Sequence, residues 1–155
     1  LLSQVAGRAG RASLPGRVIV QTDFPSHPVF RSLADDGYPA FADTLRAERE
    51  IAGLPPYSHL ALLSAEAQQH DDVAAFLDAA RQAGVRLAQE LDGVEVNPPL
   101  PATLSRRAGY ERAQLLLQSR ERRKLQAFLA PFRAELDRLP ARRVRLALDV
   151  DPASF

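Results

Sequence analysis

Two arginines three residues apart, Arg8 and Arg11, stand in the string Gln4-Val-Ala-Gly7-Arg8-Ala-Gly10-Arg11. A guanidinium presents a planar fork of donors that fits phosphate oxygens, and such a fork stabilises the charge that builds on a phosphoryl group during transfer. The Gly and Ala neighbours let the backbone approach a second surface, and the Gln4 amide can hydrogen-bond across a cleft. The string therefore fits a part in phosphoryl transfer. A basic turn after a helix would satisfy it as well.

A second concentration of chemistry lies in the last third of the chain. From Arg46 to Glu95 there are four basic and nine acidic side chains, a net of −5, whereas from Leu104 to Arg145 there are twelve basic and four acidic, a net of +8. The later stretch is a candidate anion-binding region. Within it Arg106, Arg107 and Arg112 surround Tyr110, a set suited to nucleic acid because cations neutralise phosphates and bases stack on aromatic rings. Tyr57 is a second stacking candidate, although core packing is the commoner fate of either ring. Arg120, Arg122, Arg123 and Lys124 describe the solvated side of an amphipathic helix. Asp149 and Asp151 look like a metal pair, but without further carboxylates a cap or turn is the better reading. There is no Cys, and His27, His59 and His70 are scattered without ligand spacing, so no metal site is expected within this chain.

The elements that must position these residues follow from length and pattern. A chain of 155 residues holds one domain of ordinary size and part of another. It has no Met, so a fragment excised from a longer protein is expected. No apolar run approaches ~20 residues and no signal-peptide layout is present, so the expected location is the cytoplasm, with no membrane partner. Nineteen of the twenty basic residues are Arg; beside so much Ala, a genomic bias explains that as well as phosphate recognition does.

The chain opens as helix, a Pro15-Gly16 turn, and a strand at Arg17 to Thr22 with β-branched alternation. A short helix from about Pro28 to Ala34 and a longer one from about Pro39 to Ala52 follow, Gly53 ending the second. Beyond Pro56 the expected order is strand 59–67, helix 71–91, strand 94–96, a loop carrying Arg106, Arg107 and Gly109, strand 111–118, helix 120–139 and strand 143–150. Gly84 is expected to weaken the first of these helices. The order β-α-β-β-α-β is that of an α+β, ferredoxin-like domain with two helices on one face of a four-stranded sheet.

QVAGRAGR resembles the last conserved motif of the second RecA-like lobe in superfamily 2 helicases. With the following Pro-Gly turn, VIVQT and His27-Pro28, it also resembles the primosomal protein N′ (PriA) family. So do the ERE and AGLPPY blocks of Glu48 to Tyr57, the Pro and Arg pairs between Pro98 and Arg107, QLLLQS at 114–119, KLQAFL at 124–129 and LDVDP at 148–152. The chain departs from the family at Asn97-Pro98, where Gly-Pro is usual.

The resemblance implies the C-terminal part of an ATP-dependent 3′-to-5′ DNA helicase that recognises stalled or repaired replication forks and restarts replication by primosome assembly. It implies that residues 1–24 end the second RecA-like lobe, 25–56 form a helical connector, and 57–155 form the C-terminal domain, similar to ribosomal protein S-ten. Arg8, Arg11 and Gln4 would then serve ATP hydrolysis, the guanidinium reaching γ-phosphate only when the lobes close. The nucleotide-binding loop, the acidic Mg²⁺ motif and a zinc-binding insertion precede this stretch in the family, so the chain alone would not turn over ATP. Implied partners are branched or forked DNA, other primosome proteins and the acidic tail of the single-stranded-DNA-binding protein, the last meeting Arg122, Gln126 and Arg123. Two other readings stay open at this point, a free-standing nucleic-acid-binding module and a structural brace.

Overall fold

A nine-residue run from His59 to Ala67, bounded by prolines before and a helix start after, supplies the central strand of the molecule. The computed structural model describes residues 10–11, 14–15, 17–28, 30–31, 37–141 and 143–153. The chain divides into two units, Leu1–Ala52 and Gly53–Phe155.

In the first unit, β1 (Gly10–Arg11) pairs antiparallel with β2 (Leu14–Pro15), so Gly10 and Arg11 lie in a strand where a helix was expected. Arg17 to Thr22, expected as a strand, carries no strand pairing. Alternation of β-branched residues makes a strand only where a neighbour accepts its backbone hydrogen bonds, and Ile19 is left 79% exposed. Pro28, Phe30 and Arg31 are helical, the His27 carbonyl accepting from the N–H groups of Phe30 and Arg31 at 3.0 and 3.2 Å. Helix α1 (Gly37–Ile51) starts two residues before its expected proline; Pro39 sits in the first turn, where its missing N–H costs nothing.

The second unit contains β3 (His59–Ala67), α2 (His70–Leu91), β4 (Glu95–Val96), β5 (Leu100–Arg107), β6 (Tyr110–Ser119), α3 (Arg122–Arg138) and β7 (Arg145–Val150). It is α+β, with an antiparallel sheet ordered β4-β6-β3-β7 and β5 also paired to β6. Since β3 occupies one edge of β6 from 111 to 119, β4 and β5 share the other edge. The expected loop after Val96 is thus corrected to a strand. Pro98, Pro99 and Pro101 hid it, because proline removes ladder donors and is tolerated on an edge; a register shift between Pro101 and Arg106 hid the rest.

One face of the sheet packs on the helices. Ala61, Leu63, Ala65 and Ala67 of β3 and Leu115 and Leu117 of β6 meet Val73, Phe76, Leu77 and Ala80 of α2 and Leu125, Phe128, Leu129, Phe132 and Leu136 of α3. These helical positions recur at spacings of three and four, the stripe a helix must bury. Asp71 and Asp72 in the first turn of α2 complement its dipole. Gly84 lets α2 come close: a Cβ there would lie 3.2 Å from Phe132 and 3.3 Å from Val96. The residue that looked like a weakness in the helix is a packing contact.

Candidate nucleic-acid interface

The antiparallel register places the second face of the sheet as a grid. Arg145, Glu66 and Arg112 are direct partners across β7, β3 and β6, and two residues along each strand Ala147, Ser64 and Gln114 form the next row. Further along come Asp149, Leu62 and Leu116, and then Leu60 beside Gln118. The face therefore runs from charged to apolar along β3. At its apolar end Leu60 and Leu62 are buried, and Gln118 donates to the carbonyl of Gly53 and to the Ser58 hydroxyl, which ties the segment Gly53 to Ser58 to the strand.

The charged end holds most of the expected nucleic-acid set. Arg107 and Tyr110 are register partners that close the β5–β6 hairpin through Ala108 and Gly109, both at positive φ, 50° and 82°. Because partners in an antiparallel pair project to one side, Arg107, Tyr110 and Arg112 share the face that carries Arg145. Arg106 pairs with Glu111 on the other side, their side chains 3.3 Å apart. The Glu66 carboxylate lies 3.6 Å from both Arg112 and Arg145, and the Arg145 guanidinium lies 4.8 Å from the centre of the Tyr110 ring. A cleft of about 250 Å³ opens here, lined by Ser64, Glu66, Ala102, Arg112, Gln114 and Arg145 among others. Arg145 was absent from the set read from sequence. Its alternation within RVRLALDV placed it on a strand face, but its partners are set by register between strands nearly eighty residues apart.

The second expected set sits on α3. Arg122, Arg123 and Gln126 are exposed while Leu125, Phe128 and Leu129 face the core. The first turn of α3 holds no acid, and the Glu121 side chain makes no cap hydrogen bond. The first N–H groups of a helix lack internal partners and carry partial positive charge, so Arg122 and Arg123 add cations where the helix is already positive. Arg122 lies 3.9 Å from Asp151. Lys124 is committed elsewhere, to Glu121 at 3.1 Å and Asp92 at 3.6 Å; the hydrogen bond to Glu121, helped by the charge of both carboxylates, raises its pKa above the usual lysine value. The two sets are not brought together. Arg145 begins β7 and Asp151 lies just past its end, six residue steps on, about 20 Å at ~3.3 Å per step.

Gln4 and Arg8 lie outside the described residues, as does the side chain of Arg11, whose backbone is in β1. Tyr57 follows a turn in which its N–H donates to the Leu54 carbonyl at 3.0 Å. The Asp149 and Asp151 pair gathers no further ligand: among the described residues no group of three or more His, Asp or Glu side chains could hold a metal ion. Among them, too, no helix is long and apolar enough to cross a membrane.

The family model for the primosomal protein N C-terminal domain matches residues 50–153. The replication restart protein PriA of Haemophilus influenzae is 42% identical over 153 residues, 98% of this chain and 20% of that protein. Its namesake from Bacillus subtilis is 30% identical over 154 residues, 98% of this chain and 19% of that protein. The chain thus spans about a fifth of the length of these relatives. Among solved structures, the de novo designed protein Foldit4 covers 60% of this chain and 94% of its own at 11% identity, with a TM-score of 0.43.

Proposed function

The chain belongs to the primosomal protein N C-terminal domain family, and on that premise we propose that it is the C-terminal part of a replication-restart helicase whose second unit binds forked DNA. The observation that supports this reading is the charged end of the sheet, where Arg107, Tyr110, Arg112 and Arg145 share one face. Phosphates meet the guanidiniums and an unpaired base at a fork meets the ring. On this reading the sheet is ferredoxin-like, with β4 and β5 acting as one interrupted second strand.

The first turn of α3 takes the acidic tail of the single-stranded-DNA-binding protein. A terminal carboxylate pairs with Arg122 and draws on the free N–H groups of the turn, with Arg123 adding charge and Gln126 holding the tail backbone. Because this site and the hairpin lie at opposite ends of β7, DNA and tail can be held together, which suits assembly of further primosome proteins on a coated fork in the cytoplasm.

Gln4, Arg8 and Arg11 serve a motor completed by other parts of the intact enzyme. There ATP, Mg²⁺ and the zinc-binding insertion belong, and the motor moves 3′ to 5′. Arg11→Ala in the intact enzyme is expected to abolish ATP turnover and spare fork binding; near-normal DNA-stimulated ATPase in both Arg8→Ala and Arg11→Ala removes this assignment. DNA binding is tested by anisotropy of a labelled fork with this chain over a salt series. Phosphate neutralisation gives a steep fall of affinity with salt, whereas a brace between domains gives no binding at all.

A further inference from the structure

We propose that the row Arg145–Glu66–Arg112, with Ser64, Gln114 and Ala147 beside it, is a phosphodiester site for single-stranded DNA in which Glu66 is the counter-ion that a phosphate replaces. The inference deepens the DNA-binding reading and rests on it. Three observations carry it.

The row holds two guanidiniums and one carboxylate, a net of one positive charge, at the mouth of an open cleft. Each guanidinium is 3.6 Å from Glu66, beyond the ~3.2 Å reach of a good N–H···O hydrogen bond, and Arg112 reaches the Leu104 carbonyl only at 3.5 Å. The fork donors of both are therefore weakly used, and a phosphate oxygen can take them at shorter range. The adjoining row gives a shallow polar floor. The Gln114 amide and Ser64 hydroxyl stand 3.5 Å apart, leaving both able to bond a base edge, and Ala147 and Ala102 leave room above them.

Arg145 links the row to Tyr110, over whose ring it lies, so a base leaving the phosphate finds an aromatic or guanidinium plane next to it. A stacked plane beside a single phosphate site fits an unpaired strand, whose bases are free to turn onto it.

Glu66 makes the proposal testable by opposite signs. Labelled oligo-thymidine is titrated against the 155-residue chain and its variants by anisotropy at several salt concentrations. Glu66→Gln is expected to tighten binding at least threefold, since it removes the competing charge and keeps the strand. Arg145→Ala is expected to weaken binding at least threefold and to lower the salt slope by about 0.7, the loss of one single-strand phosphate contact. Arg133→Ala removes the same charge from the far surface of α3, where it pairs with Asp137, and should change affinity less than twofold. Glu66→Ala serves as a second variant should glutamine perturb the strand; two Glu66 variants that bind no tighter than the unaltered chain overturn the proposal. An Arg145→Ala effect matched by Arg133→Ala overturns it too, as net charge alone would then be at work. Thymidine monophosphate binding as tightly as the oligonucleotide would reassign the site to a free nucleotide and overturn the DNA form. No binding by the unaltered chain removes the fork-binding reading as well, whereas normal binding with silent Glu66 and Arg145 variants removes this inference alone.

Discussion

The hydroxyl of Ser119, the last residue of β6, donates to the carbonyl of Gly93 at 2.6 Å and accepts from the N–H of Glu121 at 3.1 Å. One buried side chain thereby fastens the turn after α2 to the start of α3. Gly93 itself sits at φ 82°, a conformation that a residue with a side chain adopts only under strain, and a Cβ there would also have to displace the Lys124 side chain, 2.4 Å away. Loss of the Ser119 hydroxyl leaves a carbonyl and an amide without their partner, at a cost of about 1–3 kcal/mol for a buried group. Ser119→Ala should therefore lower the denaturation midpoint by that amount, with faster amide exchange at residues 121–124. A variant as stable as the parent would show that water replaces the hydroxyl.

Gly84 gives a second, size-dependent prediction. Alanine in a helix is favoured over glycine by about 1 kcal/mol, but its Cβ would press on Phe132 at 3.2 Å and Val96 at 3.3 Å. The two effects oppose, so Gly84→Ala should be near neutral. Gly84→Val adds methyls that α3 and β4 cannot both avoid, and overpacking of that kind costs about 1–3 kcal/mol. Chemical denaturation of both variants measures the step between them; equal stabilities would mean that α2 and α3 separate freely.

The hairpin that carries Tyr110 turns through Ala108 at φ 50° and Gly109 at φ 82°. Two positive φ values make a two-residue primed turn, where Asn-Gly is favoured and a Cβ of alanine is strained. Ala108→Asn should stabilise the second unit by about 0.5–1 kcal/mol, raising Tm by several degrees in a domain of ~100 residues. Since no charge changes, DNA affinity should stay within twofold. A fall in Tm would mean that Arg107 and Tyr110 are not in register.

Much of this fold was legible because its core positions repeat with helical or strand period. The limits 59–67 for β3 were read directly, and the stripe Leu125, Phe128, Leu129, Phe132 and Leu136 marked α3. Besides Gly10–Arg11, two segments depart from their local pattern for opposite reasons. Arg17 to Thr22 has strand composition and no paired neighbour, whereas Leu100–Arg107 has a neighbour and a proline-rich composition that conceals it. Local pattern states what a segment tolerates, and pairing decides what it becomes. The same division holds for the site. Tyr110 and Arg112 stand out in sequence because they adjoin other cations, but Glu66 and Arg145 come to the same face only through β3 and β7.

The last prediction concerns Arg122, which the fold places 3.9 Å from Asp151 on a shared exposed surface. If this turn of α3 holds an acidic tail, the tail carboxylate competes with Asp151 for the guanidinium. Arg122→Glu removes a charge-assisted hydrogen bond worth about 1.5–3 kcal/mol and adds repulsion, so tail affinity should fall at least tenfold. Asp151→Asn frees the guanidinium, and affinity should rise. Neither change should shift stability by more than about 0.5 kcal/mol, because both side chains are at least half exposed and α3 is held from its other side by Leu125, Phe128 and Phe132. Opposite signs on one ion pair separate recognition from folding. A labelled peptide ending in an acidic tail is titrated against the parent and both variants, with thermal melts alongside. Unchanged affinity in both, with unchanged melts, would leave Arg122 a solvated surface residue and Asp151 its incidental neighbour.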